Sequence, residues 1–182
     1  VIAAEEAASG LDRPAVSDAD PRQEIERLHG SSFGWAMCCC GHRREEAEDV
    51  LQASYLKVLD GSARFAGGAS FKTFLFAVIR RTAAERRRRE RARGGLLGRW
   101  LRLAPPPAVE PVPDPHLSAR ASSLRAALAR LPRRQQEVLR LVFQHDLPIA
   151  AAAAVLGIGV GSARTHYERG KRRLRALLEG ER

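Results

Sequence analysis

A chain of 182 residues is long enough for one domain or two small ones. This one is rich in Ala, Leu, Val and Arg with only 5% aromatic side chains, a composition that favours helices and argues against a β-rich fold. Its formal net charge of +10 is unevenly spread: residues 1–63 carry 6 basic and 12 acidic side chains and residues 64–182 carry 25 and 9, which points to a basic surface for a polyanion and a separate acidic surface.

Residues 1–21 lack hydrophobic periodicity and are expected to form a loose tail. The first ten hold Glu5 and Glu6 and no basic stretch, so no secretory leader is expected. A first helix is predicted from Arg22 to Cys40, with Ile25, Leu28, Phe33 and Met37 as core candidates. It ends in Cys38, Cys39 and Cys40. Adjacent cysteines are badly placed to pair, and three consecutive helical side chains diverge by about 100° each, so neither a disulfide framework nor a metal centre with His42 is expected. Small packed thiols in a reducing compartment are the simpler reading.

A second helix is predicted over 45–59. Ala47, Val50, Leu51, Ser54 and Val58 recur at helical spacing, and acidic residues crowd its positive end. A third starts after Ser70, an N-cap candidate, with Phe71, Phe74, Leu75, Val78 and Ile79 as its apolar stripe. It runs into six arginines between Arg86 and Arg93, more than a helix C-terminus needs, which suggests contact with a polyanion. Residues 94–121 read as a linker with prolines clustered from Pro105 to Pro115, preceded by a short apolar segment, Leu96 to Leu103.

Residues 122–182 form a second helical unit. After Leu131-Pro132 a helix over 136–144 is predicted, then a short Ala-rich helix over 149–156 with Asp146 as cap candidate, a Gly157-Ile158-Gly159 turn, and a long basic helix over 161–178. A short helix, a glycine turn and a basic helix make a helix-turn-helix, whose last helix would enter a major groove. The longest apolar run, Ile149 to Val160, is too short to span a bilayer. The expected fold is therefore all-α: two small helical domains, 22–93 and 122–182, joined by a Pro-rich linker.

The two halves together resemble the extracytoplasmic-function (ECF) sigma factors of the bacterial sigma-70 family. Ala47-Glu48-Asp49-Val50-Leu51-Gln52, Arg64-Phe65 and Ser70-Phe71-Lys72-Thr73-Phe74-Leu75 are similar to segments of the family's first domain. Leu131-Pro132 through Leu139, Leu156-Gly157-Ile158 and Val160-Gly161-Ser162-Ala163-Arg164 are similar to its second. The resemblance implies a dissociable RNA polymerase subunit that directs core polymerase to promoters, with no nucleotide chemistry and no cofactor of its own.

By the same resemblance the partner is core RNA polymerase, at its β′ clamp helices and β flap, and Glu48, Asp49 and Gln52 would dock on the β′ clamp helices. Phe65, Ser70, Phe71, Lys72, Arg80 and Arg81 would read and melt the minus-10 element, where an exposed strand needs aromatic and cationic groups. Ser162, Arg164, Thr165, His166 and Arg169 would read the minus-35 element. A cytoplasmic monomer with two domains moving on the linker, held by an anti-sigma factor when inactive, is what the resemblance implies. The sequence departs from the family's usual pattern at Ala53, Phe74, Arg81, Glu85, Ala150, Ala151 and Gly159. The competing reading is a stand-alone helix-turn-helix regulator, which would have no use for the Asp49/Gln52 helix followed by the Ser70–Leu75 segment.

Overall fold

A computed structural model describes residues 20–65, 67–93 and 119–180. Residues 94–118 of the expected linker, with the apolar Leu96–Leu103 segment, and most of the N-terminal stretch lie outside the described residues, while residues 119–121 are helical. Seven helices make up the described chain: α1 (Pro21–Cys39), α2 (Arg44–Leu59), α3 (Phe71–Arg93), α4 (Ala119–Ala129), α5 (Arg133–Phe143), α6 (Ile149–Leu156) and α7 (Val160–Glu179). No strand occurs among the described residues.

The first helix starts where its capping chemistry sits. Asp20 accepts a hydrogen bond from the Arg22 N–H at 2.9 Å, and Pro21 occupies the first turn, where no N–H is needed. The helix buries Ile25, Leu28, Ser32, Trp35, Ala36 and Cys39. That register differs from the expected one, because Phe33 and Met37 only lean on the core while Trp35 is wholly enclosed. Ser32 and Cys39 complete the inward stripe, and their weak hydrophobicity hides it from a reading of apolar residues alone.

The α2 stripe is as expected: Ala47, Val50, Leu51, Ser54 and Val58 are all buried. Ser54 turns its hydroxyl back to the Val50 carbonyl at 2.6 Å, which satisfies it inside the core. In α3 the wholly enclosed residues are Leu75, Phe76 and Ile79; Phe71 and Phe74 sit at the edge.

Helices α1, α2 and α3 pack on one another, and α5, α6 and α7 do the same with α4 lying on α7. The two groups are joined by packing of α3 on α6. Val138, Leu141, Leu147, Ala152, Val155 and Leu156 thereby enter the same apolar cluster as Trp35, Phe76 and Ile79. The two halves thus share one apolar core in this structure.

Trp35 anchors the first group. Its Nε1–H donates to the Phe76 carbonyl at 3.1 Å and its ring stacks on Phe76 at 5.9 Å, so a large apolar surface is buried with its one polar atom paired. Trp35→Ala is expected to cost about 3–5 kcal/mol, the range for emptying an aromatic core site. Urea unfolding checks this, and a midpoint within experimental scatter of the wild type would remove Trp35 from the role of anchor.

Candidate nucleic-acid interface

The helix-turn-helix is built by α6, its turn and α7. Gly157 adopts φ +61°, and the N–H groups of Ile158 and Gly157 bond to the Ala153 and Ala154 carbonyls at 3.1 and 3.2 Å, a left-handed stop that closes α6. The chain then turns through 108° into α7. That angle lies in the range of DNA-binding helical pairs. Asp146 does not cap α6 as expected. It takes φ +53°, and Pro148 stands at the N-cap without a side-chain bond. A left-handed residue at 146 reverses the chain so that His145 points inward.

Ala163 and Gly170 form the buried edge of α7. Gly170 allows a close approach of α5, since a Cβ there would lie 3.1 Å from both Gln135 and Leu139, tighter than an ordinary contact. The opposite face carries the residues assigned to minus-35 reading. Ser162, Arg164, Thr165 and Arg169 are exposed and His166 is half-buried. The Thr165 hydroxyl donates to the Gly161 carbonyl at 3.0 Å, which satisfies it within the helix. Gly159 begins α7 in an extended conformation without a side-chain cap.

On the other half, Glu48, Asp49 and Gln52 are exposed along α2. Asp49 accepts from Arg86 of α3 at 2.7 Å and Glu48 from Arg44 at 2.8 Å. Both pairs are open to solvent and therefore weak and exchangeable. Gln52 borders a cleft of about 320 Å³ shared with His29, Phe33 and Tyr55. Continuing the same face, Leu56 and Leu59 are 59% and 46% exposed, so α2 presents acidic groups at its start and apolar groups at its end. The sequence reading missed these two leucines; their signal is that they follow Gln52 at helical spacing yet fall outside the buried stripe.

The residues assigned to the minus-10 element divide into three places. Phe65 and Phe71 form an aromatic cluster with Phe74, with centroids 5.3–6.0 Å apart. Ser70 caps α3, accepting from the Thr73 N–H at 3.2 Å, as its position suggested. Arg81 is exposed, and nine residues along a helix place it on the side opposite Lys72. Lys72 and Arg80 both face the second half. Lys72 donates to the His145 carbonyl at 2.5 Å, and Arg80 is half-buried.

The arginine run is also divided. Arg87 donates to the Cys39 carbonyl at 2.7 Å and is half-buried, while Arg86 makes solvent-exposed pairs with Asp49 and Glu90. Arg88, Arg89 and Arg91 remain on the surface. Glu85, one of the departures from the family pattern, pairs with Lys57 at 2.6 Å, which lowers its carboxyl below the usual range. Cys38, Cys39 and Cys40 are free thiols whose pKa values are raised, first by burial. Among the described residues no cluster of His, Cys, Asp and Glu could hold a metal ion.

Comparisons with known proteins establish the family. A family model for sigma-70 region 2 matches residues 25–93, and one for sigma-70 region 4 matches residues 121–174. The ECF RNA polymerase sigma factor EcfG of Rhodopseudomonas palustris is 30% identical over 138 residues, covering 74% of this chain and 72% of that one. This chain belongs to the ECF sigma factors of the sigma-70 family. The ECF sigma factor SigM of Mycobacterium tuberculosis is 29% identical over 135 residues, 74% of this chain and 65% of its own. Among solved structures, the sigma factor RpoE of Bartonella quintana, crystallised with the anti-sigma factor NepR, shares the fold. It has a TM-score of 0.70 at 23% identity and covers 88% of this chain and 98% of that one. The chain is thus a sigma factor, and the stand-alone regulator is not favoured.

His145 sits at the centre of the contact between the two halves of the sigma factor. It is 3% exposed and edge-on to Trp35 and Phe76, with centroids at 6.0 and 4.9 Å. Burial, then the charges of Lys72 and Arg140, push its pKa from 6.5 down to about 4, with Asp146 opposing. The unfolded chain therefore takes up this proton near pH 6.5 and the folded chain only near pH 4. Stability from this site is complete above pH 6.5, declines as the pH falls towards 4 and then levels off. Urea unfolding between pH 7.5 and 4.5 should show the wild type losing more stability than His145→Phe; parallel curves would refute the assignment.

Proposed function

We propose that this sigma factor works through two exposed faces carried in the family's order on one chain. Residues 22–93 form a polymerase-docking and minus-10 domain, residues 94–121 a linker, and residues 122–182 a minus-35 domain. Glu48, Asp49 and Gln52, extended by Leu56 and Leu59, dock on the β′ clamp helices, where exposed carboxylates meet basic groups and the leucines meet apolar ones. The second domain meets the β flap. Core polymerase supplies the nucleotide chemistry.

At the minus-35 element, Arg164 contacts a base edge, Ser162, Thr165 and His166 flank it, and Arg169 holds phosphate. At the minus-10 element, Phe65 and Phe71 offer stacking surface, Ser70 a hydroxyl, and Lys72, Arg80 and Arg81 charge for the separated strand. The free chain is a cytoplasmic monomer, and an anti-sigma factor silences it, as the complexed state of RpoE suggests. The observation that carries this reading is the α7 face: Ser162, Arg164, Thr165 and Arg169 stand exposed on a helix that crosses its partner at the angle of a DNA reader.

Run-off transcription with purified core polymerase on a pool of genomic fragments tests the reading. Discrete new transcripts are expected, and their upstream sequences should share two spaced elements; core binding without transcripts would refute promoter recognition. Asp49→Arg should abolish co-purification with core polymerase while altering stability by less than about 1 kcal/mol, since the lost Arg86 pair is solvent-exposed. Undiminished co-purification would overturn the docking face. Arg164→Ala should cost about 1–3 kcal/mol at one minus-35 base pair, read by binding to a panel of substituted duplexes. Equal weakening on every duplex would make Arg164 a phosphate contact instead.

A further inference from the structure

Helices α2 and α3 run antiparallel, with Asp49 opposite Arg86 and Lys57 opposite Thr82 and Glu85, and they leave a cleft of about 340 Å³ between them. Asp49, Ala53 and Lys57 recur at four-residue spacing on α2. Thr82, Glu85, Arg86 and Arg89 follow the three- and four-residue spacing of one α3 face, so the helical period itself assembles the lining. Val50 and Ala53 form an apolar floor. Val50 is buried, and Ala53 ends at Cβ, which leaves the space between the longer side chains around it unfilled. Ala53 and Glu85 are both positions at which the chain departs from the family's usual pattern, and the two meet in this one cleft.

One wall sets an acceptor beside a donor. Lys57 Nζ donates to Glu85 Oε2 at 2.6 Å and to Thr82 Oγ1 at 3.3 Å, which uses two of the three N–H groups of its ammonium. The Lys57 hydrogen bond holds the Glu85 carboxyl below its usual range, so it stands as a carboxylate. Both side chains are partly open to solvent, at 33% and 27% exposure, and a ligand reaches them without any helix moving. The rim is cationic. Arg86 shares Asp49 and Glu90 in exposed pairs that exchange readily, and Arg89 is exposed. An apolar floor, a carboxylate next to an ammonium, and exposed guanidinium groups match the three parts of a nucleotide: ring face, base edge and phosphate. Guanine fits the edge best. Its N1–H and N2 amino group are two donors for one carboxylate, with O6 as an acceptor beside them, whereas adenine, cytosine and uracil each offer a single donor on that edge.

We propose that the α2–α3 cleft is a binding site for a guanosine 5′-phosphate unit, with the ring on Val50 and Ala53, the base edge on Glu85 and Lys57, and the phosphate on Arg86 and Arg89. The unit is a free guanine nucleotide or one nucleotide of an unpaired strand, and the cleft recognises the same groups in both. The site is distinct from the Phe65–Phe71–Phe74 cluster and from the exposed face of α7, so it stands whether or not those two surfaces read a promoter.

Isothermal titration calorimetry on the full chain tests this with GMP, AMP, CMP and UMP, and with two thymidine pentamers, one of them carrying a central guanine. The guanine ligand is expected to bind about tenfold or more tighter than its counterparts, the discrimination that a hydrogen bond to a charged group supplies. Glu85→Gln should remove the preference for guanine. Ala53→Leu, which fills the floor, should weaken the guanine ligand by a similar factor. Circular dichroism confirms that each variant keeps its helices, and if one fails to fold the other carries the test. GMP binding with this pattern assigns the site to a free nucleotide; guanine-dependent binding of the pentamer without GMP binding assigns it to a strand. Equal affinity for all four mononucleotides and both pentamers would reduce the contact to phosphate on an arginine-rich surface and overturn the site. So would the absence of binding, or a guanine preference that both folded variants retain.

Discussion

The structure depends on the pairing of Trp35 with Phe76. The indole N–H bonds the Phe76 carbonyl and the two rings stack, which fixes α1 against α3 and hides the largest side chain of the first helix. Everything nearby uses the surface so made. Leu75 and Ile79 are buried with it, and His145 from the second half meets the same two rings at near right angles. One aromatic pair therefore serves both as core of the first domain and as the seat of the second. Its polar atom is satisfied internally, so the seat adds no unpaired donor of its own.

Charge is sorted on this scaffold by what each helix must hide. Of the α3 arginines, Arg87 is tied to a carbonyl, Arg86 makes solvent-exposed pairs with carboxylates, and Arg88, Arg89 and Arg91 stay in solvent. The acidic start of α2 sits on the surface beside them, with ion pairs that solvent screens. A sigma factor of this family thus keeps an acidic face and basic faces within a small bundle without collapsing them onto each other, because the pairs that form are exposed and exchange readily.

Much of this was legible in the sequence. The α2 stripe, the extent of α6, the Ser70 cap and the exposed face of α7 follow from spacing and capping chemistry, which act over a few residues. What was hidden depends on distant contacts. Trp35 faces inward on a stripe completed by Ser32 and Cys39, two residues that a hydrophobic pattern undervalues. Asp146 looked like a helix cap and is instead a left-handed residue beside the buried His145. Lys72 and Arg80 read as open cations from sequence, and their covering by the second half is a contact across more than fifty residues that no local pattern encodes.

The three consecutive thiols of α1 end in three different surroundings, since each helical step rotates by about 100°. Cys38 meets Arg140 across the contact between the halves, Cys39 lies in the core below the Arg87 guanidinium, and the Cys40 thiol points at the Glu46 carbonyl at the α1–α2 corner. Their alkylation by a small reagent is accordingly graded by structure. Cys38 becomes reactive when the halves part, Cys40 when the corner frays, and Cys39 only when the first bundle unfolds. A single tripeptide thus carries separate chemical clocks for opening, fraying and global unfolding of the same molecule.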